Sequence, residues 1–404
     1  MDWVPNDWLV FLVRWLHLIA GIMWIGNSFY FMWLDANLEA PDGSDPLSEG
    51  SLWMVHSGGF YQVERRKIGP DSMPPLLHWF KWEATFTWIT GFFLLGLVYF
   101  TGKALLLVNP TLVALTPPMT VLLSCGLLVV AWFVYDLLFQ SKIANSAWKS
   151  HPVAIGLISS MAYGFSYLYS GRGAFIMVGA VFGTIMVLNV WIRILPGQSR
   201  MIEATRRGET PNFEEGKHAK RRSTHNSYLT LPVLFMMISN HAPQAYANPQ
   251  NWLILLLLIA LGMQVRHIMI LQTKGKSFLW VLAPLVVTLL AIGLILNQDH
   301  VRRPGVANVE REIDFAQVRA IVHTRCQPCH ATQPTDATFG PMPGGVSFET
   351  DEDIFRLAER IRFRAVETET MPIANKTNIT AEERSLLGAW VDQHLARVEK
   401  KDDK

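Results

Sequence analysis

Five consecutive residues near the C-terminus form the motif that is best suited to chemistry, Cys-Gln-Pro-Cys-His at positions 326–330. In such a motif the two thiols can add across the vinyl groups of a haem, and the adjacent imidazole can bind the iron from one face. The motif therefore predicts one covalent haem c on Cys326 and Cys329, with His330 as an iron ligand. A zinc site is the alternative, but zinc would need further Cys or His ligands, and only His323 is near.

The residues around this motif resemble a small class I cytochrome c. Residues 314–324 are predicted to form an amphipathic helix that leads into the motif, and residues 380–397 are predicted to form a closing helix with Thr380 as its N-cap. Thr-Met-Pro at 370–372 lies between them, and in class I cytochromes c a Met-Pro loop supplies the sixth ligand of the iron. The resemblance therefore implies that Met371 is the second axial ligand, with Met342 as the alternative. His/Met ligation raises the reduction potential of a haem and suits an acceptor of electrons.

The rest of the chain is predicted to be a membrane domain. Half of the 404 residues are apolar, only 17% are charged and 15 are Trp, a composition that is rare in soluble domains. Eight stretches are long and apolar enough to cross a hydrocarbon core of about 30 Å. They cover residues 9–34, 79–101, 119–139, 152–170, 173–195, 225–241, 250–272 and 278–297. We therefore predict an all-α protein with a bundle of about eight membrane helices in residues 1–300, a linker at 301–313 and a cytochrome c domain at 314–404.

The distribution of positive charge predicts the orientation of these helices. Lys and Arg are concentrated in the segments that join spans 1–2, 3–4, 5–6 and 7–8, whereas the opposite segments hold only Lys103 and Arg172. Positively charged loops stay in the cytoplasm, so both termini and the cytochrome domain are predicted to lie in the periplasm. Topology explains the basic residues and the net charge is only +2, so nucleic acid is not expected as a partner.

Several histidines lie within or beside the predicted spans, where ionisable groups are costly to bury and are functional candidates by default. Topology places His17 and His241 towards the periplasm. A second layer lies towards the cytoplasm and contains His78, Glu83 one helical turn beyond it, His225, Asn226, Arg266 and His267. Arg193, at the end of its span, is expected to extend to the headgroups instead. Charged groups of both signs at one depth indicate a polar cavity among the helices.

Electron transfer between the two layers would need a relay. If a substrate is oxidised in the cytoplasmic layer, its electrons must cross most of a 30 Å core to reach the periplasmic haem. We therefore predict at least one haem b in the membrane domain, with His17 and His241 as the leading pair of ligands and His267 as a further candidate. A substrate pocket that opens close to the periplasm is the competing interpretation, and it requires no relay.

Four sequence motifs carry a resemblance to a known family. They are His-Ser-Gly-Gly-Phe-Tyr at 56–61, His-Trp-Phe-Lys-Trp-Glu-Ala at 78–84, the segment 225–235 that begins His-Asn-Ser-Tyr, and Ser-Asn-His at 239–241. With the C-terminal domain, they are similar to the bacterial membrane-bound urate oxidases (urate hydroxylases), and the likeness covers essentially the whole chain. It implies oxidation of urate with water to 5-hydroxyisourate in the inner membrane, with electrons passed to the cytochrome domain and then to a respiratory-chain acceptor, either a cytochrome c or a terminal oxidase.

Urate is a planar anion, so a cytoplasmic-side pocket with an arginine and a proton acceptor would suit it. Arg266 and Asn226 are the predicted substrate-binding residues, and Glu83, His225 and His78 are the predicted catalytic residues.

Two other classes of function remain open at this point. One is an electron-transfer subunit that accepts electrons from quinol or a partner dehydrogenase, and the other is a transporter with a fused cytochrome. The oligomeric state, including a homo-oligomer, is also open.

Overall fold

The computed structural model of the protein describes residues 7–41, 43, 45–101, 104–108, 114–302 and 312–402. Its helices are α1 (Asp7–Asn37), α2 (Trp82–Leu95), α3 (Pro117–Gln140), α4 (Ala147–Leu168), α5 (Gly171–Leu188), α6 (Leu195–Arg206), α7 (Phe213–Ile238), α8 (Pro243–Tyr246), α9 (Asn251–Thr273), α10 (Leu279–Arg302), α11 (Phe315–Arg325), α12 (Asp351–Arg356), α13 (Ala358–Ile361) and α14 (Ala381–Asp402). Three π-helical segments extend α2 (Gly96–Phe100), join α5 to α6 (Asn189–Ile194) and follow α13 (Arg362–Glu367). The two strands are β1 (Ser48–His56) and β2 (Gly59–Arg66).

Among the residues that the structure describes, six helical segments are long and apolar enough to cross a membrane. They are Asp7–Asn37, Trp82–Phe100, Pro117–Gln140, Gly171–Arg206, Asn251–Thr273 and Leu279–Asn297. Each coincides with one of the predicted spans. The other two predicted spans, 152–170 and 225–241, lie on α4 and α7, which are long helices but too polar to be among the six. The count of eight therefore stays a prediction for those two.

Helix α5 forms the centre of the bundle. Most of its side chains between Gly173 and Val187 are buried, and α3, α4, α7 and α9 supply residues that surround it. A Cβ atom on Gly179 would lie only 2.7 Å from the Cβ of Met236 on α7. Real Cβ atoms do not approach so closely, so glycine allows α5 and α7 to pack in direct contact.

A β-hairpin between α1 and α2 corrects the prediction of an all-α fold. The strands β1 and β2 are antiparallel, with Met54 opposite Tyr61. The turn residues Ser57 and Gly58 have φ angles of 51° and 79°, which are the left-handed values that a tight two-residue hairpin turn requires. The strands are only nine and eight residues long, so a search for apolar runs of membrane-spanning length cannot detect them.

Helix α2 begins later than the predicted span does. Residues 76–81 have no regular secondary structure, and the helix starts at Trp82. The prediction that Glu83 follows His78 by one helical turn is therefore wrong, because the two residues are not on the same helix.

The C-terminal domain has its own core. This core contains Val318 and Val322 of α11, Ile354 of α12, and Leu387, Trp390 and Val391 of α14. Helices α11 and α14 confirm the two helices predicted around the Cys-x-x-Cys-His motif. At the start of α14 the Thr380 hydroxyl accepts the backbone N–H of Glu383 at 3.2 Å, and the Glu383 carboxylate accepts the N–H of Thr380 at 2.8 Å, which is a capping box. Most of the predicted linker at 301–313 lies outside the described residues.

Candidate functional site

The Cys-x-x-Cys-His motif lies at the C-terminal end of α11. Cys326 and Cys329 are both free thiols, and burial raises the pKa of Cys326 to about 12. Redox-active Cys-x-x-Cys pairs have lowered thiol pKa values instead, so this pair does not resemble one. The Nδ1 atom of His330 lies 3.2 Å from the carbonyl oxygen of Val346. This contact orients the imidazole and leaves its Nε2 atom to bind a metal.

A zinc site at this motif finds no support in the geometry. His323, the additional ligand that zinc would need, is exposed on α11. Across the described part of the chain, no group of three or more His, Cys, Asp or Glu side chains is arranged to hold a metal ion. Two thiols, an imidazole and a thioether nevertheless remain a donor set that fits a covalent haem.

Two hydrogen bonds hold the backbone of Met371 in place. Its N–H donates to the carbonyl oxygen of Arg364 at 2.9 Å, and its own carbonyl oxygen accepts from Arg384 at 2.8 Å. Arg384 also donates to the carbonyl oxygen of Ala365, so α14 fixes the loop that carries Met371. The alternative ligand, Met342, is 38% exposed. Met371 therefore has the more enclosed position of the two.

An ion pair between Asp336 and Lys376 connects the segment after the Cys-x-x-Cys-His motif to the loop after Met371. Burial alone would raise the pKa of Asp336, but hydrogen bonds from Lys376 and Thr338 and the charge of Lys376 lower it to about 2. Because this folded-state pKa is depressed, the carboxylate contributes stability above its ordinary pKa of 3.8 and loses that contribution as the pH falls towards 2.

A buried ion cluster joins α3, α7 and the π-helical segment Asn189–Ile194. The carboxylate of Asp136 on α3 accepts from Arg193 Nε at 2.9 Å and from Arg222 Nη2 at 2.9 Å. Gln140 donates to its other oxygen at 2.6 Å. We expected Arg193 to extend to the headgroups, and its ion pair with Asp136 corrects that expectation. Arg222 could not be recognised from the sequence as a partner of Asp136, because it lies in the polar run before the predicted span.

Replacing Asp136 with Asn should destabilise the membrane domain. The amide would leave the buried Arg222 and the partly exposed Arg193 without an anion, and breaking a buried pair from one side costs about 3–5 kcal/mol. Thermal unfolding in detergent should therefore show a clearly lower midpoint. Asp353→Asn, which breaks a surface pair with Arg356, is the control and should leave the midpoint unchanged. Equal midpoints for Asp136→Asn and the parent protein would show that the cluster does not stabilise the fold.

A chain of hydrogen bonds lies beside this cluster. The amide nitrogen of Asn189 donates to Asn226 at 2.8 Å and to the hydroxyl of Tyr135 at 3.0 Å, and that hydroxyl lies 2.8 Å from Nδ1 of His225. The chain thus connects the predicted site residues His225 and Asn226. Asn189 Oδ1 and Arg222 Nη1 are buried without a hydrogen-bond partner in the described part of the chain. Such atoms in native proteins usually bind ordered water or a ligand.

Arg266 is a buried cation on α9 whose contacts are all neutral. The residue is 4% exposed. Its Nε donates to the hydroxyl of Ser227 at 2.8 Å, its Nη2 lies 3.2 Å from the sulfur of Met32, and its guanidinium lies 3.6 Å from the ring centroid of Phe29. None of the described carboxylates is within ion-pair distance of it. A buried cation without a counter-ion is costly, which makes Arg266 a candidate site for an anionic ligand.

His267 follows Arg266 in sequence and contacts Tyr228, which follows Ser227 on α7. Its Nδ1 lies 2.6 Å from the hydroxyl of Tyr228, and its ring packs edge-on against Trp280, with centroids 5.3 Å apart. Two adjacent pairs, Arg266–Ser227 and His267–Tyr228, therefore link α9 to α7. The structure thus places a titratable pair directly beside the candidate anion site.

Glu83 lies on the other side of α1 from that site. Its carboxylate accepts a hydrogen bond of 3.5 Å from Asn27, whereas Arg266 contacts Phe29 and Met32 of the same helix. Successive residues of an α-helix are turned by about 100°, so Asn27 is on the opposite face from the other two. Glu83 and Arg266 consequently contact different sides of α1.

The other predicted catalytic residues are also separated. His78 lies in the irregular segment before α2, and its ring packs edge-on against Phe80 with centroids 4.7 Å apart. His225 is bonded to Tyr135 on α3. Among the described residues, no hydrogen bond or ring contact connects Glu83, His225 and His78 to one another.

His17 and His241 have separate surroundings. The Nδ1 of His17 lies 2.9 Å from the carbonyl oxygen of Thr87 and 3.1 Å from the hydroxyl of Thr90. A Cβ atom on Gly91 would lie 2.9 Å from the His17 ring, so the ring packs directly on α2. His241 is exposed at the end of the short turn after α7. No described contact joins the two imidazoles, and a haem b between them stays a prediction.

The C-terminal domain meets the membrane domain near the N-terminal end of α5. Arg364 lies 3.5 Å from the hydroxyl of Tyr246, which also accepts from Arg172 at 2.9 Å. A cavity of about 510 Å³ is lined there by Arg172 from one domain and Arg384 from the other. Asn189 lies 17 residues after Arg172, or about 25 Å along the helix. The polar cluster and the C-terminal domain therefore lie at opposite ends of the bundle.

The fold and its polar clusters define the class of the protein. It is an α-helical protein with six helices that could cross a membrane and a small helical domain at its C-terminus. Residues 4–297 match the family model described as urate oxidase N-terminal. The chain belongs to this family, which confirms the family resemblance for the membrane domain and indicates a urate-related oxidoreductase. Comparison with curated proteins found no match, and comparison with solved structures found none either.

Proposed function

We propose that this protein oxidises urate with water to 5-hydroxyisourate and gives the electrons to the respiratory chain. The family supports a urate-related oxidase, and the observation that carries the more specific proposal is Arg266. Urate is a planar anion, and the fork of a guanidinium group can donate to it in the plane of the ring. Ser227 and Phe29 fix the plane of this guanidinium, and no described carboxylate neutralises it.

The reaction releases two electrons and two protons for each urate that takes up the oxygen of water. A proton acceptor is therefore needed near the bound anion. Glu83, His225 and His78 are the predicted acceptors. The structure adds a fourth candidate, the pair His267–Tyr228, and this pair is the one beside Arg266.

The C-terminal domain is the proposed outlet for the electrons. Cys326 and Cys329 would hold a haem c covalently, and His330 and Met371 would bind its iron. A haem bound in this way takes up and releases one electron at a time, so the oxidation of one urate must reduce the haem twice. The contact with the Val346 carbonyl orients the His330 imidazole, and the hydrogen bonds to Arg364 and Arg384 hold the backbone that carries Met371.

Exchange of the proton acceptor for glutamine should strongly lower turnover and spare the proposed haem. We expect His267→Gln to lower the turnover number roughly 10²- to 10⁴-fold, the usual contribution of a positioned acid or base. Glu83→Gln and His225→Gln are the matched comparisons, and we expect smaller losses because neither side chain contacts the Arg266 site. Steady-state urate oxidation and haem spectra of the three variants would be measured. A large loss at Glu83 or His225 with near-normal turnover of His267→Gln would place the reaction elsewhere.

The experiment that tests the proposed function is direct. Purified full-length protein, without added quinol or partner protein, should have its haem reduced by urate.

A further inference from the structure

One face of the β-hairpin is apolar and exposed. Trp53, Val55 and Phe60 are 62%, 68% and 80% exposed, and Val55 and Phe60 are cross-strand partners. These three residues are the outer face of the hairpin. We propose that the outer face inserts into the lipid headgroup region beside the end of α1 and so forms a second membrane anchor. This proposal rests on the position of the hairpin and is independent of the proposed urate oxidation.

Two backbone and side-chain contacts of β1 show which way the hairpin points, and an ion pair joins its base to α1. Near its base, Ser51 pairs with Glu39, just beyond the end of α1, through backbone hydrogen bonds of 2.9 and 3.2 Å. Arg65, which lies opposite Gly50 one position nearer the base, extends its side chain to Asp35 at 2.6 Å. Towards the tip, the sulfur of Met54 accepts from the hydroxyl of Tyr30 at 3.5 Å. The contacts on α1 thus move from residue 39 to residue 30 as the strand advances by three residues.

The hairpin therefore runs back along α1 towards the membrane. Three strand residues extend about 10 Å, and the turn at 57–58 lies further on in the same direction. Residue 30 is inside the predicted span 9–34, and Tyr30 and Trp33 are 42% and 41% exposed. Exposed Tyr and Trp near the end of a span are typical of the membrane interface. The tip of the hairpin must lie at this depth or deeper.

The two faces of the hairpin have different neighbours. Leu52, Met54 and Val63 are partly buried, and Met54 contacts α1. The outer face points away from α1, and at this depth lipid surrounds the protein. Trp and Phe side chains are well suited to the interface because they bury apolar surface near the headgroups.

The charges at the base limit how deep the hairpin can lie. Arg65 pairs with Asp35 and Glu49, and Arg66 pairs with Asp45 and Glu64. These ion pairs are at least partly exposed, which favours water or headgroups around them. The outer edges of the strands also leave backbone groups that the hydrocarbon core would not satisfy. The interface suits a hairpin whose outer face is apolar and whose base is charged, and it meets both requirements.

A photo-crosslinking experiment tests this anchor in the full-length protein. Benzoylphenylalanine would replace Phe60, which is 80% exposed and can be exchanged without disturbing the packing, in protein reconstituted into phospholipid bilayers. Phe93 on α2, which is 60% exposed in a predicted span, is the positive control. Phe355 in the C-terminal domain, which is 39% exposed, is the negative control.

Irradiation should give phospholipid adducts at positions 60 and 93 and none at position 355, as read by mass spectrometry. Adducts at 93 but not at 60 would overturn the proposal. Covalent dimers formed through position 60 would also overturn it, because they would show that a second copy covers the outer face.

Discussion

Replacing Arg266 with Gln should weaken the use of urate without weakening the fold. A hydrogen bond to a charged group is worth about 1.5–3 kcal/mol, so kcat/KM should fall roughly ten- to one-hundred-fold, mostly through a rise in KM. Arg266 is buried with only neutral contacts, so its removal eliminates a costly buried charge. Thermal stability should therefore stay the same or increase, which is the pattern of a residue kept for function.

Arg266→Lys is the matched control for charge. Lysine keeps the positive charge but loses the planar fork and the stacking on Phe29. Its kcat/KM for urate should lie between those of the parent protein and Arg266→Gln. An Arg266→Gln protein that is less stable but has an unchanged kcat/KM would show that the arginine has a structural role instead.

Replacing Met371 with Leu should lower the reduction potential of the proposed haem c. Leucine has a similar volume and leaves the backbone hydrogen bonds to Arg364 and Arg384 intact, but it has no sulfur to bind iron. Loss of a thioether ligand lowers the potential, and axial ligands set haem potentials over a range of about 0.8 V. A redox titration should show a decrease that is a sizeable part of this range. Urate-dependent reduction of the haem should slow accordingly.

Met342→Leu is the control for the assignment of this ligand. Met342 lies in an exposed turn with a φ of 44°, and its replacement should leave the potential unchanged. A lower potential in Met342→Leu and an unchanged one in Met371→Leu would exchange the roles of the two residues.

Local sequence patterns predicted the elements of this fold well. The helices that flank the Cys-x-x-Cys-His motif, and the capping role of Thr380, follow from the periodicity and type of residues within one segment. The six membrane helices follow from length and apolar composition. The hairpin could have been predicted from Ser57-Gly58 between two short apolar strands, but such strands fall below the length that marks a membrane span.

The contacts of the candidate sites could not be predicted in the same way. Asp136 and Arg222 are 86 residues apart, and Arg266 and Met32 are 234 apart. A charge in an apolar segment predicts that it has a function or a partner, but it does not identify the partner. The π-helical segment after α5 also made the contacts unpredictable. A π-helix has more residues per turn than an α-helix, so it changes which side chains face α3 and α7. For this reason the sequence alone places Arg193 at the headgroups, whereas it pairs with Asp136.

Reduction of the haem by urate alone tests the proposed function most directly. Purified full-length protein would be mixed with urate in the absence of oxygen, quinol and partner proteins, and the haem spectrum would be followed with the amount of 5-hydroxyisourate. We predict that the haem becomes reduced and that one 5-hydroxyisourate forms for every two electrons collected. A haem that stays oxidised with urate but is reduced by quinol would contradict the proposal and identify an electron-transfer subunit.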